Sequence, residues 1–162
     1  MGREIHEIHP VWDRESRILI LGSFPSVKSR EGGFFYHHPR NRFWKVMAHV
    51  LDCPEPESIE EKKRMLLEGH VAVWDVVSSC TIHGSSDSSI RDVIPNPVWE
   101  LLDQAPVCRI YANGGTAFRL YQRYTEKRTG MPAVLLPSTS PANAAWSLER
   151  LKEAWQVLRK EL

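Results

Sequence analysis

Four short apolar runs, each stopped by a glycine-rich or polar segment, constrain this chain more than any other feature. Residues 17–22 (RILILG), 71–74 (VAVW), 107–112 (VCRIYA) and 133–136 (AVLL) have strand length and the continuous apolar character of strands buried on both faces. Helical patterns separate them. Phe43, Val46, Met47, Val50 and Leu51 recur at the spacing of one helix face. Ser58 predicts an N-cap with Glu61 as its capping-box partner, for a helix ending before Gly69. Leu101 and Leu102 fall in a short helix after Pro97. Phe118, Leu120 and Tyr121 belong to another, and Leu148, Leu151, Trp155 and Leu158 mark the last. Buried strands alternating with helices predict an α/β fold whose parallel sheet is covered on both faces. With no repeat, low-complexity tract or long linker, residues 1–162 are expected to form one domain.

In an open parallel sheet, ligands bind outside the carboxyl ends of the strands. Here every predicted strand end carries an unusual segment: Gly22, Ser23, Phe24 and Pro25; then Asp75; then Asn113, Gly114, Gly115 and Thr116; then Pro137, Ser138, Thr139, Ser140 and Pro141. These are expected to converge on one rim. Two stretches, 23–42 and 78–97, read as long irregular loops, a length that marks function or disorder in a compact domain.

The segments Gly22-Ser23-Phe24-Pro25-Ser26, Tyr36-His37-His38-Pro39-Arg40-Asn41-Arg42-Phe43-Trp44 and Leu136-Pro137-Ser138-Thr139-Ser140-Pro141-Ala142-Asn143 resemble the uracil-DNA glycosylase superfamily. The middle run is most similar to the hypoxanthine-DNA glycosylase branch and also resembles the mismatch-specific uracil glycosylases. The three motifs occur in order from the first strand to the start of the last helix. The resemblance implies a three-layer sandwich with a central four-stranded parallel sheet between helices. It also implies excision of a deaminated base, hypoxanthine first and uracil second, flipped out of DNA, with no metal or cofactor and a monomeric state.

Such a reaction must extrude the nucleotide, hold the base and deliver water to the sugar carbon. Asn41 is the first candidate for positioning that water, because an amide carbonyl can accept from water while its NH₂ is tied to the protein. The same residue suits the N-cap of a helix beginning at Arg42. Phe24 stands where the mismatch-specific enzymes carry their catalytic Asn, and its ring cannot orient water. The backbone N–H groups of Ser23 and Phe24 remain able to bind a base, with Gly22 and Pro25 shaping the loop. Tyr36 or Phe35 is expected to stack on the flipped base, although one of Phe34, Phe35 and Tyr36 must anchor the loop instead. Asp75 is expected to read the base edge, or to serve as a cap or ion-pair partner; burial would raise its pKa and change what it can donate. Ser85 and Asp87 are secondary candidates. His38 is counted among the base contacts, and neither it nor His37 is assigned as a general acid. Ser138, Thr139, Ser140, Pro141, Ala142 and Asn143 resemble the loop that grips the phosphate backbone, with Ala142 or Asn143 as the wedge; a plain Ser/Pro turn has the same look. Asn113 and Gly114 at a helix start suit phosphate binding. Arg40 and Arg42, with Lys28 and Arg30, would supply positive charge that the whole chain, at net +1, lacks.

Cys53, Cys80 and Cys108 are too few and too dispersed for the four-cysteine cluster of some branches, and they read as idle thiols of a cytoplasmic protein. The start is polar with charges of both signs, unlike a signal peptide, and no apolar run approaches the length of a membrane span. Two rival readings stay open: a DNA-binding module that lost its water-positioning group, motivated by Phe24, and a serine hydrolase using Ser138 or Ser140 with a His and Asp75. No Gly-x-Ser-x-Gly elbow favours the second.

Overall fold

Burial on both faces organises the centre of the molecule. The strand β2 (Ile18–Gly22) carries Ile18, Leu19, Ile20 and Leu21, all fully buried. The structure, a computed structural model, describes residues 2–162. Its strands in chain order are β1 (Arg3–Ile5), β2, β3 (Val71–Asp75), β4 (Val77–Thr81), β5 (Arg91–Pro95), β6 (Arg109–Asn113) and β7 (Ala133–Leu136). The helices are α1 (Val27–Gly32), α2 (Phe43–Val50), α3 (Ile59–Glu68), α4 (Val98–Leu102), α5 (Gly115–Tyr124), α6 (Glu126–Thr129) and α7 (Leu148–Trp155).

The expected four-stranded parallel sheet is present in the order β3-β2-β6-β7, with Gly22 beside Asp75 and Asn113 beside Leu136 at its carboxyl end. Side chains alternate across it. Ile18, Ile20, Val71, Val73 and Tyr111 face a core closed by Met47 of α2, Leu66 of α3 and Trp155 of α7. Leu19, Leu21, Ala72 and Ile110 face a second core with Val98 and Leu101 of α4 and Tyr121 of α5. Two packed faces give the three layers. Because β3 and β6 lie on opposite sides of β2, the strand order reverses beside β2, where parallel sheets open a crevice.

Two expectations about loops are corrected. Residues 78–97 are irregular only in part: β4 pairs antiparallel with β1 (Ile5↔Ser79) and with β5 (Val77↔Pro95), forming a second, three-stranded sheet, while 82–90 remain a connecting loop with one 3₁₀ turn at Asp87–Ser89. Its strands are Ser-rich or exposed, so pairing rather than apolar pattern makes them strands. Residues 23–42 include α1, whose N-cap Ser26 accepts from the Ser29 N–H at 3.2 Å; six residues are too few to display a helical period. Smaller differences follow the same logic. Ser58 accepts from the Glu61 N–H, but the Glu61 carboxylate takes the Glu57 N–H, one residue before the cap. Helix α2 begins at Phe43 rather than Arg42, β6 begins at Arg109, and Leu158 lies in a 3₁₀ turn after α7. No helix among the described residues is long and apolar enough to cross a membrane.

Candidate active site

The unusual strand-end segments do meet. Gly22, Ser23, Phe24, Pro25, Phe35, Tyr36, His38, Asn41, Asp75, Asn113 and residues 138–142 line one cavity of about 290 Å³ at the carboxyl rim, with Ser85 and Asp87 arriving from the β4–β5 connection. An adjoining groove is lined by Asp87, Gly115, Ser138, Ser140, Ala142, Asn143 and Trp146 among others.

The floor of the cavity is polar and incompletely bonded. Asp75 is buried at the end of β3, and Gly22 beside it must lack a side chain: a Cβ there would stand 2.4 Å from Asp75 Oδ1 and 2.9 Å from the Tyr36 hydroxyl. Asp75 Oδ2 and the Tyr36 hydroxyl are buried atoms with no hydrogen-bond partner. Burial, and then the nearby Asp87 charge, push the Asp75 carboxyl up to about 8, so it is largely protonated at neutral pH. Burial likewise drives the Tyr36 phenol far up, and it stays protonated.

His6, which no spacing in the sequence singled out, completes this floor. It is buried, and its Nδ1 accepts from the Ile8 N–H at 3.2 Å, which assigns the proton to Nε2; that nitrogen lies 3.5 Å from Asp75 Oδ2. Burial lowers its pKa to about 4, so it faces Asp75 as a neutral ring. Asn96, also unforeseen, donates to the Asp75 carbonyl at 2.9 Å and to the Val77 carbonyl at 3.3 Å, pinning the turn after β3.

The wall opposite is closely bonded, with the Asn41 NH₂ left over. Asn113 Nδ2 donates to Thr139 Oγ1 (3.0 Å), and Asn113 Oδ1 accepts from the Thr139 N–H (3.0 Å). Having accepted from Asn113, the Thr139 hydroxyl donates to Asn41 Oδ1 at 2.9 Å, and that oxygen also accepts the Phe43 N–H at 2.9 Å. Both lone pairs of the Asn41 carbonyl are thereby occupied, and its NH₂ is the end left for the cavity. This reverses the expected orientation, in which the carbonyl met the water. The helix-capping function expected of Asn41 is real in part: it caps the Phe43 N–H although Arg42 is the residue at the cap position. Asn113 and Thr139, expected against phosphate, are committed to orienting Asn41.

Arg42 also turns inward. Its guanidinium donates to the carbonyls of Thr139 (3.4 Å), Ser140 (2.8 Å), Asn143 (3.1 Å) and Trp146. This corrects its expected place on the DNA: its donors hold residues 139–146 in place. Ser138 Oγ accepts the Ser140 N–H, Ser140 Oγ accepts the Ala142 N–H, and Asn143 Nδ2 donates to the Ser138 carbonyl. Asn143 is therefore held inside its loop, whereas Pro141 and Ala142 are exposed at the tip. Gly114, at φ 98, stands at the N-cap of α5, and a Cβ there would lie 3.0 Å from Ser138 Cβ. Arg40 is exposed and free to meet a phosphate, while Arg30 pairs with Glu4 (3.3 Å), bonds the Gly84 carbonyl and covers the Phe24 ring.

The aromatic residues divide their tasks. Phe34 stacks on Trp44 in the core and anchors the loop. Tyr36, at φ 50, is held by Trp44 Nε1 donating to its carbonyl (3.1 Å) and by stacking on Phe43 with centroids 4.1 Å apart. Phe35 is buried and lines the cavity beside it. Phe24 packs edge-on against His6, so its ring belongs to the second core; the N–H groups of Ser23 and Phe24 meet no protein acceptor among the described residues. No group of three or more His, Cys, Asp or Glu among the described residues is arranged to hold a metal.

A family model for the uracil DNA glycosylase superfamily matches residues 9–159. A hypoxanthine DNA glycosylase of Methanosarcina acetivorans is 31% identical over 149 residues, covering 91% of this chain and 93% of that protein. One from Methanosarcina barkeri is 30% identical over 148 residues, covering 90% and 92%. A solution NMR structure of a candidate uracil DNA glycosylase from M. acetivorans superposes with a TM-score of 0.81 at 32% identity, covering 94% of this chain and 95% of that one.

Proposed function

The chain belongs to the uracil DNA glycosylase superfamily, and from that premise we propose that it hydrolyses the N-glycosidic bond of deaminated bases in DNA, hypoxanthine first and uracil second. The observation that carries the base class is the floor of the cavity. A protonated carboxyl offers one donor and one acceptor side by side, the complement of the N–H and C=O that deamination creates on a purine or pyrimidine ring. The unpartnered Tyr36 hydroxyl and Asp75 oxygen await such an edge, since buried polar atoms are rarely left unbonded without a ligand or function. A cavity of about 290 Å³ suits a single base rather than a larger ligand.

In this reading the everted base lies over Gly22, stacked on Tyr36 or Phe35, with the N–H groups of Ser23 and Phe24 on its edge and His38 at the mouth. Asn41 directs its NH₂ to the oxygen of the attacking water. Ser138, Ser140, Pro141, Arg40 and the Gly114 turn hold the strand, with Ala142 entering the vacated stack. The whole of residues 1–162 acts as one domain, and as a monomer.

Duplexes bearing hypoxanthine, uracil or xanthine, incubated with the protein and then cleaved at abasic sites with alkali, test the proposal. Strand breakage at hypoxanthine ahead of uracil is the expected result; intact strands with every lesion refute it. The occupied Asn41 carbonyl and the buried Phe24 ring favour a second reading, a module that binds lesion DNA without cutting the base. Salt-sensitive binding with no product would establish that alternative.

A further inference from the structure

The attacking water must lose a proton, and the Asn41 carbonyl has no lone pair left to take it. The titratable groups lining the cavity are Tyr36, His38, Asp75 and Asp87. Tyr36 is a buried, protonated phenol. His38 accepts the Arg40 N–H at Nδ1 (3.0 Å), which leaves a proton rather than a lone pair on Nε2 of the neutral ring. Asp75 lies buried at the floor and is largely protonated at neutral pH. Asp87 differs in exposure and bonding: desolvation raises its carboxyl too, but the Ser23 hydrogen bond and the Arg119 charge pull it part of the way back down. It is reachable by solvent, and one of its oxygens accepts the Ser23 hydroxyl at 2.8 Å while the other has acceptor capacity to spare.

Its position matters as much as its chemistry. Asp87 lines both the cavity and the adjoining groove, and of the residues common to the two (Asp87, Ser138, Ser140 and Ala142) it alone is ionisable. A base held in the cavity with its backbone in the groove puts the glycosidic bond at that junction. The loop carrying Asp87 is fastened over the end of β2: the Val27 N–H donates to Ser85 Oγ (2.9 Å) and Arg30 donates to the Gly84 carbonyl (2.6 Å). The carboxylate therefore arrives above Ser23, next to the position where Phe24 offers no polar side chain.

We propose that Asp87, delivered from the β4–β5 connection and oriented by Ser23, is the catalytic carboxylate that accepts the proton of the attacking water. This rests on the glycosylase reading. The water oxygen bonds to C1′ of the sugar as the C1′–N bond breaks, and that bond's electron pair leaves with the base. One water proton passes to the Asp87 carboxylate, and the departing base takes up a proton from solvent. Asp87 then returns its own proton to solvent, so that water has been added across the bond. While the sugar carries positive charge, the same carboxylate stabilises it.

Single-turnover excision from the duplex the parent cleaves, with binding to that duplex measured alongside, tests the assignment. Asp87→Asn keeps an acceptor for the Ser23 hydroxyl and removes only the carboxylate; it is expected to slow excision by about 100-fold or more while Kd stays within about threefold. Asp87→Gly is expected to be equally slow and to regain rate with added formate. Asp87→Asn excising at the parental rate, or an Asp87→Gly deficit that formate leaves untouched, overturns the assignment alone. A parent inactive on every deaminated duplex overturns the glycosylase reading first, and this assignment with it.

Discussion

The floor and the wall of the cavity are built on opposite rules. At the floor, Asp75 Oδ2 and the Tyr36 hydroxyl are buried without a hydrogen bond, with His6 Nε2 standing 3.5 Å from the former. On the wall, Asn113, Thr139, Asn41 and Arg42 satisfy one another or the loop carbonyls. Saturated groups fix geometry, and unsatisfied groups await a partner. The contrast separates residues that build the site from residues that meet a base, although all of them line or border the same space.

Asn41 is the point where the wall reaches the chemistry, so its loss should be felt most. Asn41→Ala is expected to lower the single-turnover rate by at least ~100-fold, the scale of removing one electrostatic group; a parental rate would make Asn41 part of the wall only. Arg42→Ala attacks the wall itself. It leaves the carbonyls of Ser140, Asn143 and Trp146 without their charged donor, and is expected to cost roughly 3 kcal/mol. Thermal melting should fall by about 10 °C. An unchanged melting temperature would return Arg42 to the DNA-facing role first expected of it.

Asp75→Asn tests the floor. Because burial raises the carboxyl from 3.8 to about 8, the folded protein disfavours the charged form. Its stability penalty is absent below the unfolded value, grows as pH rises toward 8 and is then constant. The Asn variant is thus expected to melt above the parent at pH 8–9, with the gap closing near pH 4. An amide also offers one donor and one acceptor edge, so excision should persist and lose the alkaline decline near pH 8 that ionisation of Asp75 imposes. An alkaline limb common to both proteins would belong to another group. The smallest effect is expected at Tyr36→Phe. Removing a hydroxyl without a partner should alter stability by less than about 1 kcal/mol, while affinity for lesion DNA weakens. A clear loss of stability would show that the phenol serves the fold.

The amino-acid sequence by itself determined the parallel sheet, the places where its strands end, and the family. All of these rest on local pattern: apolar runs such as 17–22, the glycine-rich or polar segments that stop them, and motifs that keep their order. It also marked nearly every segment that lines the cavity, because special strand ends must lie together once the strands are parallel. Orientation and protonation were decided by tertiary structure. The Asn41 amide is turned by Thr139 and Arg42 is claimed by Ser140, partners 98 residues away in each case. His6 reaches Asp75 from an N-terminal segment with no apolar signal, and Asp87 comes from a hairpin that is a strand pair only because its edges are bonded. A hydrogen bond depends on which of two atoms meets a donor, and a carboxyl's proton on how much water surrounds it. Neither is a property of neighbouring residues along the chain, so both wait for the fold.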